Sequence, residues 1–248
     1  MWIDCHCHLD YFQNPELAVE EAVSVGVEKI IANSTTLEGL HKVLALQKQF
    51  PENVKAALGY HPTRSVEDSA EKIEETFNHV VQHAPECIAF GEIGLDFEDS
   101  TLPEVRQLQV SIFKKFISLG KEFKKPLIVH ARGSRSEVLK ILLEENAERV
   151  LLHSFVAKEK QLKQLLETPF FVSVGAGVLN SAWIQDFARQ LPLEKMLLET
   201  DSPLEFRGEK CSPAWIPKIA GKIAELKGVV IKEVEEKTFQ NFRQLFGF

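Results

Sequence analysis

Met1-Trp2-Ile3-Asp4-Cys5-His6-Cys7-His8-Leu9-Asp10 is the stretch on which the reading of the whole chain turns. It reads as a short strand running into two histidines one residue apart. Side chains alternate faces along a strand, which places Asp4, His6 and His8 on one face and Cys5 and Cys7 on the other. Two imidazoles side by side suit a single metal ion. A pair of structural histidines carries the same local signature, so the other histidines and carboxylates must decide.

Outward from this strand, apolar runs of strand length alternate with longer amphipathic stretches in eight pairs. The strand candidates end near His8, Asn33, Tyr60, Glu92, His130, His153, Val174 and Thr200. Runs such as Val27 to Ala32 and Lys195 to Leu198 have the character of parallel strands buried on both faces. Helical spacing marks Glu67 to His83, with Ile73, Phe77, Val80 and Val81 on one side. It also marks Pro103 to Gly120, where Pro103 and Gly120 punctuate the two ends. Pro213 to Leu226 and Ile231 to Leu245 follow as two further helices. Eight strand and helix pairs predict a (β/α)8 TIM barrel, one domain over residues 1–248. A doubly wound open sheet is the alternative, but no Gly-rich turn follows the first strand.

A barrel of this kind builds its active site at the C-terminal ends of the strands. Those ends carry His6 and His8, Gly59-Tyr60-His61-Pro62, Gly91-Glu92-Ile93-Gly94-Leu95-Asp96, His130-Ala131-Arg132, His153-Ser154-Phe155 and Glu199-Thr200-Asp201-Ser202-Pro203. Five of the eight histidines lie there; His41, His79 and His83 fall in helical stretches and read as solvated or capping side chains. Acids and imidazoles pointing into a barrel are costly to bury unless paired or bound to metal. The pattern therefore favours a metal site at the mouth.

Composition narrows the function classes. With 29 Lys plus Arg against 36 Asp plus Glu, the net charge of -7 argues against coating nucleic acid through a broad basic face. No apolar stretch is long enough to span a membrane and no leader pattern precedes the first strand, so a cytoplasmic location is expected. Cys5, Cys7, Cys87 and Cys211 show no framework spacing and read as reduced thiols packed behind the strands. Nothing points to a protein partner.

Taken together and in order, the strand-end motifs resemble the TatD-type metal-dependent deoxyribonucleases of the amidohydrolase-like barrel superfamily, and the resemblance spans essentially the whole chain. It implies a site for two divalent ions, with His6, His8 and Asp201 on one, His130 and His153 on the other, and Glu92 bridging both. It also implies hydrolysis of phosphodiester bonds in DNA. Many barrel amidohydrolases bridge through a carbamylated strand-four lysine; Glu92 in that place favours the TatD-like branch. Imidazole and carboxylate ligands suit Zn first, with Mn, Ni, Fe or Mg also compatible.

Within that frame, two ions can hold both the attacking water and the phosphoryl oxygens. Asp201 can then take the water's proton as general base, so Asp201 and Glu92 are the catalytic candidates. His61 and Arg132 are the substrate-binding candidates, as a donor and a bidentate clamp on phosphate. Alternatively, His61 orients a ligand and Arg132 pairs with a neighbouring acid. Glu199 and Asp96 read as acids that hold ligand histidines from behind.

Two departures from the family pattern bear on substrate. Gly133 stands where an acid often follows His-x-Arg, and Cys211 stands where Asn is common. They leave substrate preference less fixed than metal binding, while the acidic net charge around a pocket made positive by two bound dications suits single-stranded ends or short oligonucleotides better than long duplex DNA. Two other readings remain open: an amidohydrolase or esterase using the same metals on a small carbonyl substrate, and a non-catalytic metal or nucleotide binder. Phosphate-facing Arg132, Arg64 or Arg207 would favour the nuclease, and a closed apolar pocket the amidohydrolase.

Overall fold

The computed structural model describes residues 1–206 and 208–247. Its eight parallel strands follow one another around a single sheet: β1 (Trp2–Cys7), β2 (Val27–Asn33), β3 (Val54–Leu58), β4 (Ala89–Asp96), β5 (Leu127–Arg132), β6 (Val150–Leu152), β7 (Phe171–Val174) and β8 (Met196–Leu198). The chain beyond β8 closes the ring against β1. His8 N donates to Ser202 O at 2.8 Å, and Asp201 N donates to His6 O at 2.9 Å. The result is the expected (β/α)8 barrel.

Seven helices connect the strands: α1 (Pro15–Ser24), α2 (Leu37–Gln49), α3 (Ala70–His83), α4 (Pro103–Phe123), α5 (Arg135–Glu144), α6 (Glu159–Leu166) and α7 (Ala182–Gln190). Two short antiparallel strands, β9 (Glu205–Phe206) and β10 (Glu209–Lys210), precede α8 (Ile216–Lys227) and α9 (Ile231–Phe246). Local chemistry sets the helix ends. Thr36 caps α2 by accepting from Gly39 N, and α4 begins with Pro103 in its first turn. α4 runs one turn past Gly120 and stops at Lys124, whose φ is 53°. α3 begins at Ala70, three residues later than the spacing from Glu67 suggests, because Pro62–Val66 forms a separate 3-10 turn and Ser69 caps the helix.

The core has two layers. Inside the barrel, Ile3, Cys5, Ile31, Ala57, Ala89, Ile128, Leu151, Phe171 and Leu197 pack together over a floor of Phe242, Leu245 and Phe246 from α9. Outside it, the alternate strand residues pack against the helices, with Phe90, Phe113 and Phe116 fully buried. Phe116 lies 5.4 Å from the Phe77 ring and 6.5 Å from the Phe90 ring, centroid to centroid. Phe116→Ala should therefore cost about 3–5 kcal/mol in urea unfolding, the usual cost of deleting a buried aromatic ring. A loss below about 1 kcal/mol would mean that this layer repacks freely.

Alternation explains how most strands reach the mouth. Starting from the interior positions Ala57, Ile128, Leu151 and Leu197, steps of two residues lead to Gly59 and His61, to His130, to His153, and to Glu199 and Asp201. β1 and β4 break this rule. β1 has a register shift between Asp4 and Cys7, and β4 has one between Phe90 and Ile93. Each carries its strand from interior residues, Ile3 and Cys5 or Ala89, to site residues of the opposite parity, His6 and His8 or Glu92.

This corrects the strict alternation expected of the opening strand. Cys5 packs inside the barrel, whereas Cys7 packs in the outer layer, so the two cysteines do not share a face. Asp4 is not in the mouth with the two histidines. It is fully buried and accepts from Thr200 N at 3.0 Å, from the Thr200 hydroxyl and from His6 N at 3.2 Å. It thereby ties β1 to the segment after β8.

Candidate metal centre

Six residues from five strand ends converge at the mouth. The Nε2 atoms of His6 and His8 lie 3.2 Å apart. Glu92 Oε2 lies 3.5 and 3.3 Å from these two nitrogens, and Asp201 Oδ1 lies 3.5 and 3.4 Å from them. Donors tetrahedrally disposed around an ion with bonds of about 2.0–2.1 Å would be separated by roughly 3.4 Å. On the other side, His130 Nδ1 and His153 Nε2 approach Glu92 Oε1 at 2.9 and 3.3 Å. The two oxygens of one carboxylate thus face two separate sets of histidines.

Groups behind the histidines fix which nitrogen faces inward with a lone pair. His8 Nδ1 meets Asn33 O at 3.1 Å, His130 Nε2 meets Asp96 Oδ2 at 3.0 Å, and His153 Nδ1 meets Glu199 Oε2 at 3.3 Å. Each outer partner accepts a proton, so a cation at the mouth, displacing any proton on the inner nitrogen, would meet a lone pair there. Glu199 is held in turn by the Ser173 hydroxyl, and Asp96 accepts from Glu98 N and Asp99 N. The residues present therefore fit a metal. Both acids take the supporting positions expected of them, although Asp96 is the last residue of β4 rather than part of the following loop.

His61 has the opposite polarity. Its Nδ1 accepts from Thr63 N at 3.3 Å, so its proton sits on Nε2, which points at Glu92 Oε1 from 3.4 Å. It is a hydrogen-bond donor aimed into the site. Thr63 is the residue responsible, and the signal for it was the turn immediately after the His-Pro pair.

The electrostatics follow from this crowding. Burial works against ionisation of Glu92, but the charges of His61, His153 and His6 and a hydrogen bond from His130 outweigh it and hold the carboxyl well below its usual range. Burial likewise opposes ionisation of Asp201, and the charge of His153 with hydrogen bonds from His6 and His8 overcomes it. His8 and His153 are pushed well above the ordinary imidazole value despite burial, His8 by hydrogen bonds to Asp201 and Glu92 and His153 by the charges of Glu199 and Glu92. For His61 burial prevails over the pull of Glu92, and its pKa is lowered.

Arg132 does not reach the cluster. It is half exposed, with Nε 3.0 Å from Glu98 Oε2 and Nη1 2.9 Å from Asp99 Oδ2, the paired arrangement rather than the phosphate clamp. Arg64 lines the cleft above the metal centre with Tyr11, His61 and Leu204, but it is paired with Glu67 and Asp68. Arg207 lies outside the described residues. Cys211 is buried with its Sγ 3.7 Å from Thr200 O, so it packs behind the site and does not face the cleft. His41, His79 and His83 sit on α2 and α3 away from the mouth, with His79 and His83 half-buried.

Cys5 and Cys7 are both buried free thiols, and burial pushes their pKa values well above the ordinary thiol range. Neither is poised to ligate. Replacing both by Ser should leave the metal content of the purified protein unchanged while lowering the melting temperature, since each hydroxyl enters an apolar layer. Loss of metal in that variant, measured by elemental analysis, would overturn the ligand set.

A (β/α)8 barrel whose mouth gathers histidines and carboxylates in this way defines a metal-dependent hydrolase. The chain belongs to the TatD related DNase family, whose model matches residues 3–247. It is 32% identical over 258 residues to YcfH of Escherichia coli K12, described as an uncharacterized metal-dependent hydrolase, covering 98% of this chain and 95% of that protein. It is 28% identical to the human deoxyribonuclease TATDN3, covering 98% and 94% respectively. The crystal structure of YJJV, a TatD homologue from Escherichia coli K12, superposes with a TM-score of 0.88 at 26% identity, covering 100% of this chain and 98% of that one. Among the described residues no helix is long and apolar enough to cross a membrane.

Proposed function

We propose that this hydrolase is a DNA phosphodiesterase, acting at single-stranded ends or on short oligonucleotides through a two-metal site. The division of Glu92 between two histidine sets carries the reading, because a carboxylate facing both ways is what a pair of ions requires. The human relative's name, deoxyribonuclease, supports DNA as the substrate. His6, His8 and Asp201 would hold one ion, His130 and His153 the other, with Glu92 between them. Zinc is the first choice, and Mn, Ni, Fe or Mg remain compatible. When bound, such a pair of ions activates water and offsets the charge that grows in an in-line displacement at phosphorus.

The protein's own groups do the rest. Asp201 Oδ1 faces His6 and His8, while its other oxygen has no hydrogen-bond partner among the described residues and is free to take the water's proton. His61 directs its Nε2 proton inward as a donor to a phosphoryl oxygen. Arg132 could serve as the clamp proposed for it only by releasing Glu98 and Asp99.

A second reading has its own observation. A cavity of about 190 Å³ beside Asp201, walled by Ile184, Phe187, Leu204 and Phe206, offers an apolar berth for a small carbonyl substrate. Protein purified without added metal, analysed for metal content and then assayed on matched phosphodiester and amide panels, separates the two. About two ions per chain with turnover of single-stranded DNA is the expected result. Turnover confined to amides or carboxylic esters would replace the nuclease by an amidohydrolase, and a metal-loaded chain inert on both panels would make it a binder.

A further inference from the structure

A second groove, of about 370 Å³, opens on the mouth side of the barrel between the start of α5 and α7. Its walls include Phe97, Gly133, Arg135, Lys158, Gln161 and Trp183. Among the described residues Arg135 has no ion-pair partner, and its Nε is buried without a hydrogen bond. Gln161 Oε1 is likewise buried and unpartnered. Trp183 is 50% exposed, with the Arg135 guanidinium 5.9 Å from its ring centroid. An indole left half in water beside unpaired cations is a stacking platform rather than a core residue.

The acids nearby are already answered. Glu137, which also lines the groove, lies 3.7 Å from Lys140, and Glu98 and Asp99 are held by Arg132. Arg135 feels the charge of Glu98 without pairing with it, and neither Arg135 nor Lys158 makes an ion pair among the described residues. Gly133 sits at φ +66°, and a Cβ there would come within 2.9 Å of Glu98 Cγ and 3.0 Å of Glu98 N, so the absence of a side chain lets this wall pack closely against Phe97 and Glu98.

The groove shares walls with the spaces around the metal centre. Val156 lines both the groove and the small cavity beside Asp201, and Trp183 and Ile184, neighbours on α7, line one each. Asp201 and Leu204 then line both that cavity and the cleft over the histidines. Three spaces that share wall residues thus lie side by side between Trp183 and Glu92.

We propose that this groove is a nucleotide subsite. With a phosphodiester at the metal centre, the neighbouring nucleotide of the same strand lies along these spaces, its phosphate on Arg135 and Lys158 and its base on Trp183. A base stacked on an indole cannot remain paired, so the subsite selects single strands. This deepens the DNA reading of the metal centre and rests on it, but the two are separable by measuring binding and cleavage independently.

The probe is a nuclease-resistant phosphorothioate tetrathymidylate added to the full-length, metal-loaded protein. Tryptophan quenching and anisotropy of a labelled copy are read in parallel. Saturable quenching is expected, lost in Trp183→Phe because Trp2 and Trp215 lie outside the groove. Arg135→Gln and Trp183→Leu should each weaken binding by about 10-fold, within the range for loss of one stacked or charge-held nucleotide. Metal content and thermal unfolding of the variants check that the barrel is intact. An abasic tetramer of equal charge, and a duplex of the same sequence, should both bind several-fold more weakly.

Affinities within twofold of wild type in both variants would overturn the subsite, as would equal binding of the abasic tetramer or the duplex. Such a result with DNA cleavage intact removes the subsite and leaves the nuclease. Groove-dependent binding without cleavage of ordinary DNA keeps the subsite and removes the nuclease.

Discussion

Glu92→Gln should lower hydrolysis by several orders of magnitude and leave the protein with about one bound ion instead of two. In the structure Oε2 serves His6 and His8 while Oε1 serves His130, His153 and His61. An amide can offer an oxygen to one set only; its NH2 group would point at inward lone pairs on the other. The substitution preserves shape, and the surroundings leave little room for escape. A Cβ on Gly59 would lie 2.5 Å from the Glu92 carbonyl oxygen, so β3 and β4 pack backbone to backbone at this point. Gly94, at φ +133°, lets the strand pass the His130 carbonyl oxygen, which a Cβ would meet at 2.2 Å.

The measurement is elemental analysis beside single-turnover cleavage of a short single-stranded DNA. Full activity with both ions retained would mean that another acid lies between the histidine sets. Asp96 is poorly placed for that, since its oxygens are committed to His130 and to Glu98 N and Asp99 N. Asp201 would then be the group to examine.

The parts of this site that alternation governs are legible in the sequence. His130 and His153 stand two residues after Ile128 and Leu151, which fill the barrel interior, and the pattern of buried strands delivers them to the mouth without further information. The interior end of the opening strand is not legible in the same way. Its register shift lies between Asp4 and Cys7, and strict alternation groups Asp4 with the histidines when it is in fact a buried tie to Thr200. The same limit applies to Glu92, which a second shift turns into the site. A strand pattern has period two, and nothing in its composition marks where one residue is added to the count.

Arg132 illustrates a different limit. Its place at the end of β5 suits a clamp on phosphate, but its guanidinium pairs with Glu98 and Asp99 from the loop after β4. That pairing depends on loop conformation, for which sequence has only turn preferences. The Arg135 and Trp183 groove is hidden for a related reason. Its residues come from α5, α6, α7 and the segment after β4, far apart in sequence, and they meet only because the barrel brings these elements to one face.

Asp201→Asn is expected to separate metal binding from proton transfer. Asp201 occupies φ +54°, a left-handed conformation that Asn adopts as readily as Asp, so the backbone after β8 should persist. The amide oxygen can still face His6 and His8, and the pair His130 and His153 is untouched. The amide cannot take a proton at neutral pH, and the rate should therefore fall by about 10²- to 10⁴-fold from loss of the general base alone. In the wild type the carboxyl is held well below its usual range, because the charge of His153 and hydrogen bonds from His6 and His8 overcome the opposing effect of burial, so it is ionised across the neutral range. Titrating the variant with zinc while following occupancy and turnover together gives the test. Occupancy should return to the wild-type level as metal is added, and turnover should not. Recovery of both would reduce Asp201 to a ligand and move the base elsewhere. His61 is then a poor substitute, since its inward nitrogen already carries a proton. Glu199 stands behind His153 with its Oε2 taken by that ring and by Ser173, but its Oε1 is unpartnered and it lines the small cavity beside Asp201, so it is the acid to test next.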